Sequence, residues 1–218
     1  MKKFAIFDLD GTLVDSIYDL ADCVNTALRT HNLQENTLKE YYSFVGNGIE
    51  NLIRTSMKEQ GSNDELYKKV RADFDKEYAL HSNDKTCPYE GVTQLLEELS
   101  QKGIETAVLT NKAEEFVYAI LAKAFPFHKF SFAWGQREGL ERKPSPQGLL
   151  KLIEESGFAK EDCIYIGDSE VDVETAKNAG VDLICVLWGF RSEAQLIAAG
   201  AERMASNTEE LFKDIITI

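Results

Sequence analysis

Residues 4–16 read FAIFDLDGTLVDS, and the step from FAIF into Asp8 and Asp10 decides how the rest of the chain is read. Four consecutive apolar residues suit a strand buried on both faces, as in a parallel sheet. Two carboxylates one residue apart at its end repel each other and lose solvation. A cation, a shared proton, or solvent exposure at a turn would relieve them.

The 218 residues are enough for one large domain or two smaller ones. A net charge of −13 argues against nucleic acid or an anionic membrane as partner, and requires any site for an anion to create its own positive charge. Cys23, Cys87, Cys163 and Cys185 are scattered without a CxxC pair or a Cys/His cluster, and His31, His81 and His128 have no metal-ligand spacing. That pattern fits a reducing cytoplasm better than a disulfide framework or a zinc site. The apolar run after Met1-Lys2-Lys3 is too short for a secretory signal, and no stretch approaches 18 apolar residues.

Further apolar runs at 104–110, 130–134, 163–167 and 183–188 alternate with helical patterns at 92–103, 114–124, 145–157, 174–180 and 207–216. This alternation predicts an α/β fold, a doubly wound Rossmann-like parallel sheet. Residues 16–82 break the pattern. Segments 16–31, 37–43, 47–60 and 63–82 all read as helix, Ser16 and Asp19 are spaced as a capping box, and 81–91 reads as the link back. The expected organisation is a core of 1–15 and 83–218 with an all-helical insertion at 16–82.

Ligands in open α/β sheets bind beyond the carboxyl ends of the strands, and polar residues collect there. Asp8 and Asp10 follow the first run, Thr110 and Asn111 the second, Arg142-Lys143-Pro144 the third, and Asp168 with nearby Asp172 the fourth. Converging carboxylates, a hydroxyl and a lysine suit phosphoryl transfer: hard oxygen ligands favour Mg²⁺, and a carboxylate can attack phosphorus. Some of these residues also have plainer readings. Ser169 and Asp172 form a capping box by spacing, Gly46-Asn47-Gly48 reads as a helix–helix turn, and Gly189 and Arg191 as a strand-to-helix loop capped by Ser192.

DLDGTLVDS (8–16), VLTNK (108–112), RKPSP (142–146) and GDSEVDVETAKNAG (167–180) resemble, in order, the four motifs of the haloacid dehalogenase-like hydrolase superfamily. FVGNGIENLI (44–53) and WGFRSEAQLIAAGA (188–201) resemble its phosphoglycolate phosphatase-like branch, in which the helical insertion is a cap. The resemblance implies that Asp8 is the nucleophile and Asp10 the general acid/base. It implies Mg²⁺ held by Asp8, the backbone carbonyl of Asp10 and Asp168, with Asp172 a ligand or just behind one. Thr110, Asn111 and Lys143 would hold the phosphoryl oxygens, and Gly46, Asn47 and Gly48 would face the substrate from the cap. Family members that remove halogen lack the second aspartate, so Asp10 places the chain with the phosphotransferases.

The expected activity is a Mg²⁺-dependent phosphatase of a small phosphorylated metabolite, 2-phosphoglycolate favoured, acting through an aspartyl-phosphate as a monomer or homodimer. Its rivals are a β-phosphoglucomutase-like mutase, a pyrophosphatase or nucleotidase of the same superfamily, and a catalytically idle binding module. The last would have no reason to keep every one of these groups.

Overall fold

The structure is a computed structural model describing residues 1–218. Strands β1 (Phe4–Phe7), β4 (Glu105–Ala113), β5 (Phe132–Gln136), β6 (Cys163–Gly167), β7 (Asp182–Val186) and β8 (Met204–Ala205) form one parallel sheet in the order β5-β4-β1-β6-β7-β8. The chain winds outward from β1 through β4 to β5, then returns across to β6. The switch of direction therefore lies between β1 and β6, where a ligand crevice is expected.

Alternation along β1 shows why its four residues are all apolar. Ala5 and Phe7 enter one core, with α5 (Val92–Gln101), α6 (Glu114–Ala124) and α10 (Thr208–Thr217). Phe4 and Ile6 enter the other, with α7 (Gln147–Ser156) and α8 (Glu170–Ala179). Burying such side chains contributes about 1.5–3 kcal/mol each, and both faces of β1 supply it.

Between β2 (Val14–Asp15) and β3 (Cys87–Pro88) run α1 (Ile17–Thr30), α2 (Leu38–Phe44), α3 (Gly48–Ser56) and α4 (Asp64–His81). They pack around their own core, which includes Val24, Leu28, Tyr41, Ile53 and Phe74. No helix of the chain is long and apolar enough to cross a membrane.

Two local expectations are corrected, and one pairing is added to them. The strand expected at 130–134 starts at Phe132, because parallel pairing with β4 sets its register, Phe132 opposite Ala107. The two crossings into the helical segment pair as a short antiparallel ribbon, Val14 with Pro88 and Asp15 with Cys87. Ser16 and Asp19 do not form a capping box. Ser16 Oγ donates to Asp10 Oδ1 at 2.6 Å, while Asp19 Oδ2 accepts from the Thr86 N–H and hydroxyl at 2.8 and 2.7 Å. Asp19 thereby ties the first crossing to the second.

Candidate active site

The carboxyl end of β1 delivers Asp8 into the switch point, its N–H donating to Ile166 O of β6 at 2.8 Å. The chain then folds back sharply, with Leu9 O accepting from the N–H groups of Leu13 and Val14 at 3.0 and 3.1 Å. Gly11 makes the turn possible. Its φ is +87°, and a Cβ there would lie 2.4 Å from Asp168 Oδ2.

Asp8 Oδ1 accepts from the Leu9 N–H at 2.7 Å and faces Lys143 Nζ at 3.0 Å. Lys143 also donates to Asp172 Oδ1 at 2.8 Å and to the Tyr165 hydroxyl at 2.9 Å, and that hydroxyl donates to the same Asp172 oxygen at 2.8 Å. Asp172 Oδ2 accepts from the Asp168 N–H, the Ser169 N–H and Ser169 Oγ at 3.2, 3.1 and 2.6 Å. A carboxylate offers about four lone-pair sites, so five donors fully occupy Asp172. It closes the capping box of α8 and at the same time fixes Asp168 and Lys143.

Asp168 accepts from Thr12 Oγ1 at 3.2 Å and from the Phe190 N–H at 2.7 Å. Carboxylate oxygens of Asp8, Asp168 and Asp172 all lie within 4.8 Å of one another, and all three residues are buried. Only one cation, Lys143, bonds to the trio. Three negative charges against one positive leave a deficit that a divalent cation would balance. Burial pushes Asp8 up to about 6 despite Lys143, and burial together with the charges of Asp172 and Asp8 pushes Asp168 well above the usual carboxylate range. Burial works the same way on Asp172, but Lys143 and the donors from Ser169 and Tyr165 outweigh it and hold that carboxyl low.

Asp10 stands apart from this trio. Its carboxylate takes Ser16 Oγ at 2.6 Å and Lys112 Nζ at 3.0 and 3.2 Å. Lys112 donates in turn to the Tyr78 hydroxyl of α4 at 2.5 Å. Burial alone would lower the Lys112 ammonium, yet Asp10 and Tyr78 together raise it. Lys112 was legible only as part of VLTNK. The signal for it was the strand period of two, which relates it to Thr110.

The side chain of Asn111 is committed to structure. Its Oδ1 accepts from the Lys143 N–H at 2.8 Å, and its Nδ2 donates to Lys143 O and Gly46 O at 3.0 and 3.1 Å. Arg191, expected to be a loop residue, is buried and clasps the same turn. It donates to Tyr42 O and to Val45 O (2.8 Å) while pairing with Glu170 at 2.6 and 3.0 Å. Its forked side chain leaves no sequence periodicity that would reveal this.

Asp8, Asp10, Thr110, Asn111, Gly46 and Gly48 share the wall of one cavity of about 70 Å³, closed on the other side by apolar residues of the helical segment. Lys143, Asp168 and Asp172 lie behind Asp8 and do not line it. Neither does Asn47, which was expected to face the crevice. With the Val45 and Gly46 carbonyls held by Arg191 and Asn111, α3 starts at Gly48 and Asn47 is exposed.

Comparison with known proteins agrees with this geometry. The chain is 34% identical over 194 residues to a phosphoglycolate phosphatase of Pseudomonas savastanoi pv. phaseolicola, covering 87% of this chain and 71% of that one. It is 31% identical over 215 residues to phosphoglycolate phosphatase 1 of Pseudomonas aeruginosa, covering 97% and 79%. A crystal structure from Lactobacillus delbrueckii subsp. bulgaricus, described as a candidate phosphoglycolate phosphatase, superposes with a TM-score of 0.92 at 33% identity over 99% of each chain. The family model for haloacid dehalogenase-like hydrolases matches residues 5–186, and with these relatives it establishes that the chain belongs to that family.

Proposed function

We propose that this protein is a Mg²⁺-dependent phosphatase of 2-phosphoglycolate, working in a reducing cytoplasm as a monomer or homodimer, with no nucleic-acid or membrane partner. The observation that carries the reading is the buried Asp8–Asp168–Asp172 cluster, paired with Lys143 and reaching a small cavity through Asp8. A volume of about 70 Å³ has room for about five to seven water-sized groups. That scale favours a compact phosphate ester over a nucleotide. The phosphoglycolate phosphatases among its relatives support the same substrate.

In this reading Asp8 attacks phosphorus and the alkoxide leaves with a proton from Asp10. Asp10, returned to a carboxylate, then takes a proton from the water that hydrolyses the aspartyl-phosphate. Asp10 is oriented for this role by Ser16 Oγ and Lys112 Nζ, which both donate to its carboxyl group. Thr110, the Asn111 backbone and Lys143 hold the phosphoryl oxygens. Asp8, Asp168 and the Asp10 carbonyl would hold Mg²⁺, with Asp172 behind them, and the ion would supply charge neutralisation for the phosphoryl group. Residues 16–82 act as a cap over a core of 1–15 and 83–218, and the cap turn at 46–48 borders the substrate through its two glycines.

The test is phosphate release from a panel containing 2-phosphoglycolate, pyrophosphate, β-glucose 1-phosphate and nucleoside monophosphates, with and without Mg²⁺. Mg²⁺-dependent release led by 2-phosphoglycolate supports the reading. Rearranged sugar phosphate without free phosphate would establish the mutase instead.

A further inference from the structure

Arg71, Phe74, Asp75 and Tyr78 occur at i, i+3, i+4 and i+7 on α4, and all four line the cavity. That spacing makes one continuous helix face. Tyr78 marks its inner end through Lys112 and Asp10. Arg71 lies about 10 Å further out along the helix axis, at a rise of about 1.5 Å per residue. Its Nε donates to Asp75 Oδ1 at 2.7 Å, which folds the guanidinium back along the helix toward Tyr78.

The charged residues of the cavity wall are Asp8, Asp10, Lys112, Arg71 and Asp75. Lys112 is committed to Asp10 and Tyr78. Lys143, behind the wall, is committed to Asp8, Asp172 and Tyr165. Arg71 has one charged partner, Asp75, engaged through Nε, and its other side-chain partner is the Tyr67 hydroxyl, so no second carboxylate of the chain neutralises the guanidinium. The chain carries a net charge of −13, and three aspartates, Asp8, Asp10 and Asp75, face this cavity. A substrate with a second negative group would be repelled there unless a cation met that group.

We propose that Arg71 is the subsite for a carboxylate at the non-reacting end of the phosphorylated substrate, its planar fork donating to the group bidentately while Asp75 holds the guanidinium in orientation. The inference rests on the phosphatase reading above and adds the residue that selects among phosphate esters.

The experiment measures kcat and KM for 2-phosphoglycolate, 3-phosphoglycerate and 2-hydroxyethyl phosphate, whose remote end is a neutral hydroxyl. The proteins are wild type, Arg71→Gln and Arg71→Lys, each checked by circular dichroism and melting temperature. Wild type should prefer a carboxylate ester over 2-hydroxyethyl phosphate. Arg71→Gln should raise KM for carboxylate esters by about tenfold or more, leave 2-hydroxyethyl phosphate within about threefold, and be partly rescued by Arg71→Lys. A carboxylate preference that survives in Arg71→Gln overturns the subsite and leaves the substrate reading standing, as does an equal loss on charged and neutral esters. A wild-type preference for 3-phosphoglycerate that Arg71→Gln erases keeps the subsite and removes 2-phosphoglycolate. A wild type that releases phosphate without preferring either carboxylate ester overturns both.

Discussion

The Lys112 ammonium lies 3.0 and 3.2 Å from the two carboxylate oxygens of Asp10, bridging that residue to the Tyr78 hydroxyl of the helical segment. One buried cation thus couples the position of α4 to the group proposed to move protons. Lys112→Met should lower kcat by about a hundredfold, the scale of a lost general acid–base contribution, with KM changed only a few-fold. It should also lower the melting temperature, because Asp10 is left without its counter-charge. Tyr78→Phe keeps the ion pair and should be far milder. Steady-state kinetics on both variants decide, and a Lys112→Met kcat within about threefold of wild type refutes the coupling.

Asp8→Asn should abolish turnover while preserving the fold, since no neighbouring carboxylate stands in its place as nucleophile. Turnover within about tenfold of wild type would exclude Asp8 from that role.

Arg191 joins Glu170 of α8 to the carbonyls of Tyr42 and Val45. Arg191→Ala releases the turn at 46–48. It should lower kcat/KM for 2-phosphoglycolate by about tenfold or more, and for p-nitrophenyl phosphate distinctly less, since a small generic ester depends less on the turn at 46–48. Arg191→Lys should recover little, because an ammonium lacks the fork that spans Glu170 and both carbonyls. Asn47→Leu, at an exposed position outside the cavity wall, should leave the ranking of substrates unchanged. A reordered ranking for Asn47→Leu would mean that the turn presents Asn47 to the substrate after all.

Metal binding should depend on pH with a definite sign. Folding raises the carboxyls of Asp8 (to about 6) and Asp168 above their ordinary values, so without metal the folded chain holds more protons than the unfolded one across that window. The contribution of Asp8 to stability is therefore present at low pH and is lost as pH rises through about 6, and that of Asp168 is lost in the same direction at higher pH. A divalent cation competes with those protons. Mg²⁺ should raise the melting temperature more at pH 7.5 than at pH 5, as a thermal-shift titration can measure. Equal Mg²⁺ shifts at both pH values would contradict a carboxylate metal site. Ca²⁺ should bind the same carboxylates yet inhibit turnover, because it favours more ligands at longer distances.

Strand-end logic made Asp8, Asp10, Thr110, Lys143 and Asp168 visible in the sequence. Runs buried on both faces of a parallel sheet are uniformly apolar, so the first polar residue after each marks the crevice. Helices longer than two turns were legible for the same kind of reason, their apolar stripes repeating at the helical period. The two-residue strands β2, β3 and β8 are too short to carry a period, and their pairing depends on partners far away in the chain. Tertiary structure alone decided what Ser16 and Asp19 do, since a capping box and a pair of long-range hydrogen bonds share one local spacing. It also decided that Lys112, Arg191 and Arg71 belong to the site. A long cationic side chain reaches its partner through space, and nothing in its own sequence neighbourhood records whether that partner is water, Asp10, the carbonyl of Val45, or a substrate.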